Sequence, residues 1–317
     1  PFYNHESTDA AAVVLREFAL PLVVGREFQH PAEVGAWMAR IRGNAMARAA
    51  VENAAWDVYA RSLNQPLWRV LGGVREEIAC GVSIGIKDSV DDLLQSIAHE
   101  LADGYQRIKI KIKPGWDVEV LERVRREFPA IRLMGDANSA YTFDDLDRLR
   151  ACDAFDLMML EQPLWYDDIW LHARLQRELR TAICLDESIH HARDAEQAAA
   201  IGACRIINVK LGRVGGFSSA LAVHAATEKA KIPVWCGGML ESGIGRAHNI
   251  ALSTLANFSL PGDVSASKRY WREDVIEPEV TVTPQGTIHA PQAPGMGFAV
   301  KHSAIEKLSA WQYTAKA

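Results

Sequence analysis

Five charged residues recur at one period along the middle of the chain. Lys111, Asp136, Glu161, Asp186 and Lys210 stand 25, 25, 25 and 24 residues apart. Each ends a short, largely apolar run: Arg-Ile-Lys-Ile-Lys (107–111), Arg-Leu-Met-Gly-Asp (132–136), Leu-Met-Met-Leu-Glu (157–161), Ile-Cys-Leu-Asp (183–186) and Arg-Ile-Ile-Asn-Val-Lys (205–210). A strand, a loop, a helix and a return loop take about 25 residues when the loops are short. Runs rich in Ile, Leu, Val and Met suit strands buried on both faces. Helical patterns lie between them at 118–128, 143–151 and 169–179. Repeated strand–helix units imply a parallel sheet. If that sheet closes, the five residues converge at the C-terminal ends of consecutive strands, where (β/α) barrels build their active sites.

An acid just after a strand commonly caps the next helix, and for any one of these acids that reading is as good as a functional one. Three acids in register with a lysine on either side form a chemical constellation and not a folding device. Lys109, Lys111 and Lys113 alternate with Ile108, Ile110 and Ile112, so the lysines share one strand face. A solvated face of an antiparallel strand would look the same. The βαβα context instead turns the isoleucines toward helices and the lysines inward, where buried ammonium groups need acid partners.

With 317 residues, 49% of them hydrophobic, the chain can bury a barrel together with extra elements. The net charge of −5 comes without any Lys/Arg block, which argues against nucleic acid or an anionic membrane as partner. No apolar run approaches the ~18 residues of a membrane span and no signal peptide is present, so a cytoplasmic protein is expected. The chain opens at Pro1 without an initiator Met and is read as part of a longer gene product. Cys80, Cys152, Cys184, Cys204 and Cys236 are scattered, with no Cys-x-x-Cys pair. They read as small buried fillers in a reducing compartment, not as a zinc site or a catalytic thiol.

Residues 1–76 read as the helical part of a capping domain, with Ser7-Thr8-Asp9 starting one helix and Ala45–Leu63 forming another. The barrel is placed at 77–268. Its first strand is expected over Ile78–Ile86, with Ser83 either facing the substrate or satisfied in the core. Asn138, two residues after Asp136, can aim the same way. Glu187 points away from Asp186 and suits a supporting role, and His190-His191 reads as a loop pair. Arg213 follows Lys210 by three residues, ahead of Gly215-Gly216. A seventh strand at 233–237 leads into Gly238-Met239-Leu240, where a glycine pair lets backbone approach a ligand closely. The glycines of this loop are a weak dinucleotide fingerprint, because the rest of that motif is not in place. An eighth strand is expected around Phe258–Ser265, and 269–317 should return to the capping domain.

Three carboxylates without a matching Cys or His set make a hard, oxygen-rich site suited to Mg²⁺, with Mn²⁺ or another divalent ion as alternatives. Such an ion supports enolate charge on a substrate carboxylate. Lys111 and Lys210, on opposite sides, then become the acid/base pair, each with its pKa brought toward the operating pH. Lys109 would do this to Lys111, and Arg213 to Lys210. The expected reaction is abstraction of a proton α to a carboxylate through an enediolate.

Lys-x-Lys (109–111), Asp136-Ala-Asn, Glu161-Gln-Pro, Asp186-Glu-Ser and Asn208-Val-Lys210 resemble the lysine-pair branch of the enolase superfamily. More narrowly, Lys-Pro-Gly-Trp-Asp (113–117), Leu-Gly-Arg-Val-Gly-Gly (211–216), the run from Pro233 to Gly243 and Leu-Pro-Gly-Asp (260–263) resemble the o-succinylbenzoate synthase / N-acylamino acid racemase subfamily. The resemblance implies a modified (β/α)7β barrel of TIM type with an α+β capping domain whose N-terminal strands this chain lacks. It implies Asp136, Glu161 and Asp186 as metal ligands and Lys111 and Lys210 as bases. Ser83, Lys109, Asn138, Gly238, Met239 and Leu240 would bind substrate, with Arg213 and Glu187 in support. It also implies a homo-oligomer acting on a small-molecule carboxylate, by racemisation of N-acyl (N-succinyl) amino acids, by dehydration to o-succinylbenzoate in menaquinone synthesis, or by both. Another lysine-pair racemase or epimerase is the alternative; a non-catalytic barrel and a Schiff-base aldolase account less well for three acids. The family often has Pro where this chain has Leu211.

Overall fold

A computed structural model describes residues 3–315. Ser7 caps α1 (Thr8–Val14), its hydroxyl oxygen accepting from the Ala10 amide at 3.3 Å. The chain continues through a wider turn at Leu15–Ala19 into α2 (Leu20–Val23), then α3 (Ala32–Trp37), α4 (Ala45–Ser62) and α5 (Leu67–Val70). The small residues of α4 serve close packing: Ala47, Ala49 and Ala55 are buried beside Trp56. No helix among the described residues is long and apolar enough to cross a membrane.

The expected first strand is in fact two. β1 (Glu77–Ala79) pairs antiparallel with the C-terminal stretch Thr287–His289, and only β2 (Gly81–Ile84) joins the barrel. The sheet then runs in chain order and all parallel: β3 (Arg107–Lys111), β4 (Leu133–Asp136), β5 (Leu160–Glu161), β6 (Ile183–Leu185), β7 (Ile206–Val209) and β8 (Val234–Cys236). Between them lie α6 (Val90–Ala102), α7 (Val118–Glu127), α8 (Leu146–Ala151), α9 (Ile169–Glu178), α10 (Ala192–Ile201), α11 (Leu211–Val214) and α12 (Phe217–Lys229), with α13 (Gly243–Ser253) after β8. The tail adds β9 (Ile276–Glu277), β10 (Thr287–His289), β11 (Ala299–Val300) and α14 (His302–Leu308).

No eighth strand forms at 258–265. Single bridges join Val234 to Phe258 and Cys80 to Gly262, and backbone hydrogen bonds from Gly81 to Gly262 and from Asp263 to Cys236, 2.7 and 2.8 Å, close the ring. A regular ladder is denied here for two reasons. Pro261 has no amide to donate, and its carbonyl is taken by the Arg107 guanidinium at 2.9 Å.

The register explains the first two repeats. Lys111 pairs with Asp136, and Asp136 with Glu161, so these three share one level; Glu161 then pairs with Cys184, and Leu185 with Ile207, so Asp186 and Lys210 each stand further along their strands. Ile108, Ile110 and Ile112 are buried and belong to the main apolar core with Leu121 and Val124 of α7. Met134, Met159, Cys184, Ile206 and Trp235 form a separate apolar cluster inside the ring, beneath the acids. All five cysteines are free and buried, as expected of fillers.

Candidate active site

Asp136, Glu161 and Asp186 are buried side by side at the mouth of the barrel. Lys109 Nζ lies 3.2 Å from Asp136 Oδ2 and 3.0 Å from Glu161 Oε2. Lys111 Nζ lies 2.6 Å from Asp136 Oδ2 and donates to Asn138 Oδ1. At the other end, Lys210 Nζ lies 2.7 Å from Asp186 Oδ2. Arg213 pairs with Asp186 Oδ1. Asn208, on the same strand face as Lys210, donates 2.7 Å to Glu161 Oε1. Period-two alternation therefore turns Lys109 and Lys111, and Asn208 and Lys210, into the site together.

The field here is set by burial and by these pairs. Burial pushes Glu161 up, reinforced by Asp136 and relieved in part by Lys109. Burial acts the same way on Asp186, but Arg213 and then Lys210 outweigh it and hold that carboxyl well below the usual range. Lys109 is held well above the ordinary lysine value: burial opposes its charge, and Asp263, Glu161 and Asp136 overcome that. Glu187 is raised to about 7 by burial and by Asp186 beside it.

A ready three-ligand cage was the expectation, and the side chains depart from it. Among the described residues no three His, Cys, Asp or Glu groups gather as an ion cage. Lys109 lies between Asp136 and Glu161, while Lys210 and Arg213 hold Asp186. Opposite charge draws these cations onto the acids in a dry site. The donor chemistry nevertheless fits a hard divalent cation: three buried carboxylates stand at adjacent strand ends. Glu187 Oε2 is buried close by with no hydrogen-bond partner.

A cavity of about 430 Å³ opens onto both lysine ends of the row, lined by Ser83, Lys109, Lys111, Lys210 and Gly238-Met239-Leu240. Gly237 is required by close approach: a Cβ there would meet Asn208 Oδ1 at 2.3 Å and Lys210 Cε at 2.7 Å. Asn138 and Glu187 do not line this cavity. They face a neighbouring one of about 680 Å³, where Asn138 Nδ2 donates 2.8 Å to Glu187 Oε1. Arg213 reaches Lys210 only through shared partners, Asp186 and the hydroxyl of Tyr3. His191 caps α10, which makes the histidine pair a loop feature as expected.

Sequence reasoning passed over three participants. Asn208 stood in the Asn-Val-Lys motif without a role, and Asp263 stood in Leu-Pro-Gly-Asp the same way. Tyr3 accepts from Lys210 and Arg213 and donates 3.1 Å to Asp186 Oδ2. It lies far from the periodic region, and no local pattern marks it.

Residues 92–304 match the family model described as Enolase C-terminal domain-like. Residues 4–72 match the Mandelate racemase / muconate lactonizing enzyme, N-terminal domain. The chain is 54% identical to the o-succinylbenzoate synthase of Geobacillus kaustophilus over 97% of its own length and 82% of the relative's. It is 48% identical to the N-succinylamino acid racemase of Thermus thermophilus, over 98% and 84% of the two chains. A crystal structure of an enolase-superfamily member from Listeria innocua superposes with a TM-score of 0.92 at 44% identity, covering 96% of this chain and 82% of that one.

Proposed function

We propose, from the premise that this chain belongs to the enolase superfamily, that it moves the α-proton of a carboxylate substrate between two lysines and racemises N-succinylamino acids. The observation that carries this reading is the placement of Lys111 and Lys210 at opposite ends of one acid row, both lining one cavity. Members of the superfamily depend on a divalent metal. Asp136, Glu161 and Asp186 would hold it, Mg²⁺ by preference, and it would supply Lewis-acid stabilisation of the charge that develops on the substrate carboxylate.

The chain's own groups do the rest. One lysine must be neutral to take the proton, while the other, as ammonium, delivers one to the opposite face. Asn138 fixes the Lys111 amine through its Oδ1. Tyr3 and Asp186 fix the Lys210 amine. Lys109, held as a cation, adds positive charge where the enediolate forms. Ser83 and the 238–240 backbone would shape the rest of the pocket. In this reading residues 1–76 and 269–317 cap a barrel at 77–268, and the enzyme works in the cytoplasm as a homo-oligomer.

A second activity is favoured by the Geobacillus relative's name, o-succinylbenzoate synthase. There, Lys111 would remove the α-proton and return a proton to the departing hydroxyl, while Lys210 stays an ammonium ion beside the developing charge. The test is turnover of an N-succinyl-L-amino acid and of the o-succinylbenzoate precursor, with MgCl₂, by the wild type and by Lys210→Arg. The expected result is racemisation by the wild type and its loss in Lys210→Arg. A wild type that leaves the α-proton of the N-succinylamino acid untouched overturns the primary reading.

A further inference from the structure

Lys109 has three carboxylate neighbours, Asp263 at 2.7 Å, Glu161 at 3.0 Å and Asp136 at 3.2 Å. Two of them, Asp136 and Glu161, are assigned above to a divalent cation. A carboxylate turned to such an ion is a weaker partner for an ammonium group, because the ion takes up part of its negative charge and the two cations repel. Lys109 is 2% exposed and cannot turn to water instead. A buried ammonium stripped of counter-ions is strongly unfavourable. Asp263 is the one acid of the three with no duty to the metal.

Its placement is fixed from several sides. The Asp263 amide donates to the Cys236 carbonyl at 2.8 Å, and a Cβ on Gly238 would meet the Asp263 carbonyl at 2.8 Å, so the backbone is wedged against the β8 loop. Arg107, two residues before Lys109 on the same strand face, holds Asp263 Oδ1 at 2.8 Å. That guanidinium is anchored by the Pro261 and Val82 carbonyls, 2.9 and 3.3 Å away. Arg107 and Lys109 both lie over the Trp235 ring, at 5.0 and 4.9 Å from its centre. The assembly lies outside the acid row, with Lys109 and Asp263 on the wall of the cavity of about 430 Å³.

We infer that Asp263 is a positioning residue acting through Lys109: it keeps the Lys109 ammonium on its own side of the barrel mouth, so that Asp136 and Glu161 can turn to the cation. The inference rests on the metal reading above. Without Asp263, Lys109 would cling to Asp136 and Glu161 and compete with the ion for them.

The test is calorimetric titration of the metal-stripped protein with MgCl₂. In Asp263→Asn the Mg²⁺ dissociation constant should rise about 10- to 100-fold, with a smaller change in kcat at saturating MgCl₂. Asp263→Glu, which keeps the charge, should recover part of the affinity. In a Lys109→Met background, Asp263→Asn should change the affinity by less than about twofold. Unchanged affinity in folded Asp263→Asn, or an equal loss in both backgrounds, overturns the inference. A wild type that binds no Mg²⁺ overturns the metal reading itself, and this inference with it. A crystal structure of the wild type grown with MgCl₂ needs no variant. Lys109 Nζ should remain within hydrogen-bond distance of Asp263 and leave the gap between Asp136 and Glu161; a Lys109 that abandons Asp263 refutes the idea.

Discussion

Lys111 and Lys210 stand at the two ends of one row of acids, Lys111 2.6 Å from Asp136 and Lys210 2.7 Å from Asp186. Bases on opposite sides divide the work by enantiomer. In D₂O, Lys111→Ala should exchange the α-proton of only the enantiomer whose C–H faces Lys210, and Lys210→Ala only that of the other. Net racemisation should fall about 10²- to 10⁴-fold in either variant. Proton NMR of the α-position follows both quantities. Exchange from both enantiomers in both variants would contradict the two-base assignment.

Glu52 ties the N-terminal helices to the barrel. Its carboxylate, on α4, accepts the amides of Phe217 at 2.7 Å and Ser218 at 3.0 Å, and the Trp56 indole at 2.7 Å. It thus caps α12 from a different part of the chain. Gly216 makes room for it, since a Cβ there would meet Glu52 Oε2 at 2.3 Å in a backbone with φ of 112°. Glu52→Ala would strip the buried helix amides of their acceptor and cost about 2–4 kcal/mol in urea denaturation. Gly216→Ala should destabilise as well, through both clash and strain. A shift within error for either variant would show that the two parts hold together without this cap.

Acid should weaken the fold through two buried histidines. His172 accepts the Leu164 amide at Nε2, 3.1 Å away, and faces the Asp168 carbonyl through Nδ1. Protonating Nε2 would set two donors against each other. Burial lowers His172 from 6.5 to about 4, and burial lowers His248 to about 4 as well. Both are depressed in the folded state, so their contribution is intact above pH 6.5 and is lost as pH falls toward 4. Each should cost about 3 kcal/mol by pH 4. His172→Gln, which keeps an acceptor for Leu164, should flatten the stability–pH slope between those limits. An unchanged slope would show that His172 already finds a proton acceptor in the native fold.

The legible parts of this molecule are those governed by periodicity. Alternation put Lys109 and Lys111 on one face, and the 25-residue repeat aligned Asp136 with Glu161, because both patterns follow from strand geometry. Features created by chain closure were not legible. The barrel seam at Cys80–Gly262 is made by single bridges around Pro261, and nothing local separates that from a strand. The break between β1 and β2 is hidden for the same reason: Ala79 and Gly81 differ in the partner that reaches them, not in their own pattern. Asp263 and Tyr3 act through residues more than 150 positions away, and such pairs leave no spacing to read.

Glu161 should reveal a conflict between stability and function. Burial, then Asp136, raises its pKa in the folded protein above the ordinary carboxylate value of 4.5, so the fold holds this proton more tightly than the unfolded chain does. Stability therefore falls as pH rises beyond that value, because ionisation must then occur next to Asp136 and Asp186. Glu161→Gln removes the ionisation and keeps the shape. Lys109 is not stranded by the change, since Asp263 and Asp136 remain at 2.7 and 3.2 Å. The metal-free variant should be more stable than metal-free wild type by on the order of 1 kcal/mol at pH 8, with the gap closing toward pH 4.5. Adding MgCl₂ should raise the melting temperature of the wild type and leave that of the variant in place. Thermal scans with EDTA and with MgCl₂ at three pH values separate these effects. A metal-free variant that melts below the wild type at pH 8 would mean that Glu161 is held as a net stabilising anion, and that its place in the site carries no cost to the fold.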